Sequence, residues 1–135
     1  MREIKFRGMR ISDGKWVYGD LLHIVGGYVI YHGSQTESQL IEDRSNVAIE
    51  LYMDEVSPVL PETVGQYTGL HDEDGREIYE GDILNIDFKN EPMYVDYVKD
   101  GFMACRKGSL SDFLYTVAAD SRIVGNIPDN PELQR

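Results

Sequence analysis

Apolar positions along this chain fall in short runs rich in Tyr, Val and Ile, separated by turns that contain glycine. That is the pattern of strands joined by hairpins, because β-branched and aromatic side chains suit a half-buried pleated surface and glycine accepts the positive φ of tight turns. The alternation is clearest over residues 46–53, where Val47, Ile49, Leu51 and Met53 alternate with Ala48, Glu50 and Tyr52, the two-residue period of a strand with one buried face. Further strands are expected over residues 15–24, 28–32, 83–88, 94–98 and 102–106, with turns at Asp13-Gly14, Gly26-Gly27, Asp74-Gly75 and Asp100-Gly101. Helix is scarce. Residues 111–119 are the best candidate, with Ser111 or Asp112 as cap, although Thr116 and Val117 suit a strand equally. Residues 33–45 read as a polar surface loop, and Pro128 and Pro131 stop any central strand near the C-terminus, since proline has no amide to donate.

The pattern occurs twice. Phe6-Arg7-Gly8-Met9 is echoed by Tyr67-Thr68-Gly69-Leu70, and Asp13-Gly14-Lys15 by Asp74-Gly75-Arg76 at the same separation. Val17-Tyr18 matches Ile78-Tyr79; after the inserted Glu80, Gly19-Asp20-Leu21-Leu22-His23-Ile24 matches Gly81-Asp82-Ile83-Leu84-Asn85-Ile86. Further on, Gly27-Tyr28 parallels Gly101-Phe102, Leu51-Tyr52 parallels Leu114-Tyr115, and Val64-Gly65-Gln66 parallels Val124-Gly125-Asn126. The matches place one internal repeat at residues 4–66 and a second at residues 65–128, with the same strand order and with 6–24 and 67–86 as equivalent hairpins. A unit of about sixty residues buries too little surface to stand comfortably alone. The expectation is therefore a single mainly β domain over residues 1–135 in which two units pack together.

Composition narrows the functional classes. Hydrophobic residues make up 41% and charged residues 27%, ordinary values for a folded chain. No apolar run approaches the ~20 residues of a membrane span, and Met1-Arg2-Glu3-Ile4-Lys5-Phe6 lacks the apolar core of a secretory signal, so a cytoplasmic protein is expected. The one cysteine, Cys105, cannot form an internal disulfide and should behave as a small apolar residue. The net charge of −11 repels phosphate backbones and disfavours direct nucleic-acid binding. The cluster Arg2, Lys5, Arg7, Arg10 and Lys15 near the N-terminus reads as a solvated strand face.

Several blocks also carry a family likeness. Arg2 to Gly8, Trp16-Val17-Tyr18-Gly19-Asp20-Leu21, Glu62 to Leu70, Asp74 to Ile83, and Val124-Gly125-Asn126-Ile127 with Asp129-Asn130-Pro131-Glu132-Leu133 resemble, in order and at compatible spacing, the recurrent blocks of the YopX family. Pro128 departs from the pattern, where an aromatic residue is expected. The resemblance implies a bacteriophage or prophage origin and a mainly β fold of duplicated SH3-like barrel or roll units. It implies no catalytic residues, because the family looks functionally uncharacterised.

Candidate chemistry is thin. Asp72-Glu73-Asp74 invites a calcium reading, but counting from Gly75 puts Leu70 first and Gly81 last in the loop, where oxygen ligands are required; a hairpin tip is the better reading. Asp20 and Asp82 hold equivalent places in the repeats and are better read as turn-fixing acceptors than as a catalytic carboxylate pair. His23, His32 and His71 lack ligand spacing, no serine sits in a nucleophile elbow, and no phosphate loop is present. No catalytic, cofactor or metal residues are therefore assigned. Trp16 stands out, because its repeat counterpart is Glu77: a position apolar in one copy and charged in the other suits a solvent-facing contact residue. The expected function is a non-enzymatic module binding a protein partner through an exposed aromatic surface that includes Trp16. The alternative is an acidic mimic of nucleic acid that inhibits a DNA-binding enzyme, and third comes an enzyme with a carboxylate site built around Asp20 and Asp82.

Overall fold

The computed structural model describes residues 3–33, 55–86, 92–99, 101–106 and 111–134. The described chain is mostly β with one short helix, and it divides into two compact units, Lys5–Val64 and Gly65–Arg135 with Met1–Ile4.

The unit Lys5–Val64 is an antiparallel meander. Strand β1 (Phe6–Met9) pairs β2 (Trp16–Ile24), β2 pairs β3 (Gly27–Tyr31) and β3 pairs β4 (Val56–Val59). The register sets Val17 opposite Gly8, Leu21 opposite Ile30 and Ile30 opposite Ser57, so these side chains share one face of the sheet. On that face Val17, Ile30 and Val59 form the core, flanked by Phe6, Leu21, Tyr28 and Val64. A 3-10 turn, Pro61–Thr63, follows β4. The Thr63 hydroxyl accepts from the Met9 amide at 2.8 Å and donates to the Leu60 carbonyl at 2.7 Å, which ties the turn to β1.

The second unit opens with a hairpin of β5 (Gly65–His71) and β6 (Glu77–Tyr79). It continues into a five-stranded sheet of order β10-β9-β8-β7-β11, made by β7 (Asp82–Ile86), β8 (Met93–Val98), β9 (Gly101–Cys105), β10 (Asp112–Phe113) and β11 (Ser121–Asn126). Helix α1 (Leu114–Val117) runs into a 3-10 turn, Ala118–Asp120, before β11. Ile78, Leu84, Ile86, Met93, Val95, Ala104, Leu114, Val117 and Ala118 are the buried core.

Most expected strands appear with ends displaced by a residue or two, while the expected strand at 46–53 and nearly all of the loop at 33–45 lie outside the described residues. The helix expected over 111–119 is confined to Leu114–Val117. Its start is set by pairing, since Asp112 and Phe113 join β9 opposite Ala104 and Met103 and neither Ser111 nor Asp112 acts as cap. The 3-10 turn that follows the helix is closed by Ser121, whose hydroxyl donates to the Ala118 carbonyl at 2.7 Å.

The two hairpins expected to be equivalent are both antiparallel, and Gly14 and Gly75 at their tips have φ of 71° and 80°. They differ in frame and continuity. The first closes between Arg10 and Lys15, the second between Asp72 and Arg76. Phe6 to Met9 pair without interruption, whereas the register slips between Tyr67 and His71, where Gly69 takes a φ of 83°. The nine-residue β2 corresponds to two strands, β6 and β7, broken at Glu80 and Gly81. The same strand order does not recur either: β2 pairs directly with β3, while β8 stands between β7 and β9. Glu80 and the longer segment before Gly101 are the sequence insertions behind both differences.

Candidate functional site

Side chains alternate across a strand, so burying Val17 and Leu21 on the core face of β2 turns Trp16, Tyr18, Asp20, Leu22 and Ile24 toward the other face. On that face Met9 lies opposite Trp16, Arg7 opposite Tyr18, Tyr31 opposite Asp20 and Val29 opposite Leu22. A solvated outer face is ordinarily polar. Here Tyr18 is 48%, Leu22 36% and Ile24 50% exposed, and Val25 at the following turn is fully exposed. Gly19 lets β3 close against this row, since a side chain there would place its Cβ 2.0 Å from the Tyr31 carbonyl oxygen. On the core face His23 stacks on Tyr28 with ring centroids 4.6 Å apart. The arrangement is an exposed apolar stripe with one carboxylate, Asp20, within it.

Trp16, the residue singled out from the sequence, begins this row but is half-buried instead of solvent-facing. The Arg7 guanidinium lies 4.6 Å from the centre of its ring, and Arg7 is itself only 6% exposed. The indole thus caps a buried cation, a favourable arrangement because the negative face of the ring meets the charge. Tyr18, Leu22 and Ile24 were missed by sequence reasoning. Their signal was present in the apolar residues at both parities of 16–24, which one buried face does not explain.

The other candidates resolve into structural roles. Asp82 is 2% exposed and accepts from the Tyr79 amide at 2.7 Å, which fixes the turn before β7. Asp20 is exposed within the stripe, so the equivalent positions differ in environment. Cys105 is buried. His32 Nδ1 donates to the Gly33 carbonyl at 3.0 Å, and its Nε2 shares a hydrogen bond with the Ser57 hydroxyl at 2.8 Å. This resembles a nucleophile–base contact, but Ser57 is buried opposite Ile30 on the core face, where the bond joins the ends of β3 and β4.

The acidic tip Asp72-Glu73-Asp74 is tied into β11. The Asp72 carboxylate accepts from the amides of Asp74, Arg76 and Ile123 and from the Arg76 side chain. Burial by itself raises its pKa, but these amide bonds and the Arg76 charge outweigh burial and leave the group below its ordinary 3.8. Arg122 meets Glu73 at 2.6 Å and Asp74 at 3.5 Å. Among the described residues no group of three or more His, Cys, Asp or Glu side chains is arranged to hold a metal ion, and no helix is long and apolar enough to cross a membrane.

No curated protein matches the chain. The structure of protein EF1440 from Enterococcus faecalis is similar over 100% of both chains, with 19% identity and a TM-score of 0.59, a likeness of fold. The family model described as YopX protein matches residues 5–134. With nearly its whole length matched in this way, the chain belongs to the YopX family.

Proposed function

We propose that this chain is a non-enzymatic interaction module of phage or prophage origin that acts in the cytoplasm and binds a host or phage protein through the outer face of β2. The observation that carries the reading is the exposed row of Tyr18, Leu22 and Ile24 on a strand whose opposite face already supplies the core. Contiguous apolar surface rimmed by polar groups marks contact sites, and aromatic anchors supply much of the free energy at such sites. The net charge of −11 favours a partner with Lys and Arg around an apolar centre, because complementary fields steer association and penalise wrong partners.

Affinity capture from host extract with the parent chain and with Leu22→Asp and Ile24→Asp in parallel tests the reading. Both positions are exposed, so the fold should survive. A specific partner is expected to be retained by the parent and lost at least about tenfold in the variants. Folded variants that retain that partner in full place the contact elsewhere. Displacement of the partner by DNA, with both variants behaving as the parent, favours the acidic mimic instead.

A further inference from the structure

The unit that begins at Gly65 carries an exposed apolar face of its own. Val95 and Ala104 stand opposite each other in the β8–β9 ladder, and both belong to the core. Asp96 and Met103, the next pair along, therefore face the other way. Phe113 of β10 stands opposite Met103, so Asp96, Met103 and Phe113 form one row across three strands. Toward β7 this face is closed: Ile83 and Cys105, both opposite Tyr94, are buried. At β10 it is open, with Phe113 51% and Tyr115 70% exposed although Leu114 between them is in the core. The two rings lie 5.6 Å apart with their planes at 31°, and they present a common aromatic surface.

Charge decides what fits there. Asp96 is the one charged residue of the row; its Oδ1 accepts the Tyr97 amide at 2.9 Å, and Lys99 sits beyond the end of β8, in the turn. Two strand spacings put Asp96 about 10 Å from the aromatic pair. A second copy of the chain would bring a net charge of −11 to that carboxylate, and a nucleic-acid backbone is repelled for the same reason. A cation is drawn to both ring face and carboxylate. Between the two basic side chains, the planar and weakly hydrated guanidinium stacks on rings where an ammonium does not. We infer that this face binds an arginine-bearing segment of another protein. One guanidinium lies against Phe113 and Tyr115, a second basic group reaches Asp96, and the aliphatic stems cover Met103. The surface belongs to the other compact unit from β2 and does not depend on the reading given for that strand.

Two capped tetrapeptides serve as probes, one with arginine at each end and two glycines between, the other with lysine in place of arginine. Extended, such a chain spans about 10 Å between its ends. Titration followed by NMR is expected to move the signals of Asp96, Met103, Phe113 and Tyr115, with the arginine peptide bound about threefold or more tightly than the lysine peptide. Tyr115→Ala and Asp96→Asn should each weaken the arginine peptide by about fivefold or more. Glu62→Gln, which removes one charge at an exposed position in the other unit, should match the parent. Asp96→Asn keeps an acceptor for the Tyr97 amide, so it decides the matter if Tyr115→Ala does not fold. Folded variants that bind as the parent does overturn the inference, as do shifts centred elsewhere. Equal binding of the lysine peptide also overturns it, because the ring faces then play no part. So does a Glu62→Gln as weak as Asp96→Asn, which would make the attraction a property of the whole field.

Discussion

At the scale of single residues, Asp72 shows how a buried carboxylate is kept charged. Its side chain is fully enclosed and receives three amide donors besides Arg76, so removing the acceptor leaves those donors and a guanidinium without it. Asp72→Ala should cost about 3 kcal/mol of stability at neutral pH, because it leaves three backbone amide donors without their acceptor. The pH dependence has a definite sign. The folded group titrates below its ordinary 3.8, so its contribution is fully present above the unfolded value and is lost as pH falls through the folded one. Denaturant melts of parent and Asp72→Asn should therefore differ at neutral pH and converge in acid below pH 3.8. A constant gap across that range would refute the assignment. Trp16 is predicted to matter to stability as well as to contact. Trp16→Ala uncovers the Arg7 guanidinium and should cost about 1–2 kcal/mol by thermal or chemical unfolding.

At the scale of elements, β2 is the informative strand because it uses both faces. Its odd positions Val17 and Leu21 pack into the core, and its even positions Tyr18, Leu22 and Ile24 form the exposed stripe. Gly19 keeps the strand pressed against β3. Gly19→Ala would bring a methyl group within 2.0 Å of the Tyr31 carbonyl, which only backbone movement relieves, and it should cost about 2 kcal/mol or more. Hydrogen exchange should then show lost protection in β3, whose pairing with β2 begins beside Gly19 at Asp20 and Tyr31. Unchanged protection there would mean that the strand absorbs the methyl group elsewhere.

At the scale of the molecule, 24 acidic groups oppose 13 basic ones. Self-repulsion weakens as the pI of about 4.5 is approached, and light scattering should show a solubility minimum between about pH 4 and 5. The precipitate should redissolve on return to neutral pH, as repulsion among the carboxylates is restored. Precipitate that persists would show association that charge repulsion does not reverse. Capture of a basic partner should weaken as salt rises, since the attraction between exposed charges is screened over about 10 Å at 0.1 M.

Strands β2, β3, β7, β8 and β9 and the turn at Asp74-Gly75 were legible from local pattern, because strand composition and positive-φ glycine act over a few residues, whereas β4, β10 and β11 were not among the expected strands. The family was legible too, through blocks such as Glu62 to Leu70 and Asp74 to Ile83. The role of Trp16 was not, because its exposure depends on where Arg7 is carried by β1, across the Met9–Trp16 and Arg7–Tyr18 pairs. Nor was the work of Asp72: its sequence neighbours mark it as one carboxylate in an acidic tip, and only the approach of Ile123, 51 positions away, turns it into the cap of a sheet edge. The outer stripe on β2 lies between these cases. Sequence supplied apolar residues at both parities of 16–24, while the fold decided which parity faces solvent, since burial of Val17 and Leu21 against Ile30 and Val59 leaves Tyr18, Leu22 and Ile24 on the remaining side.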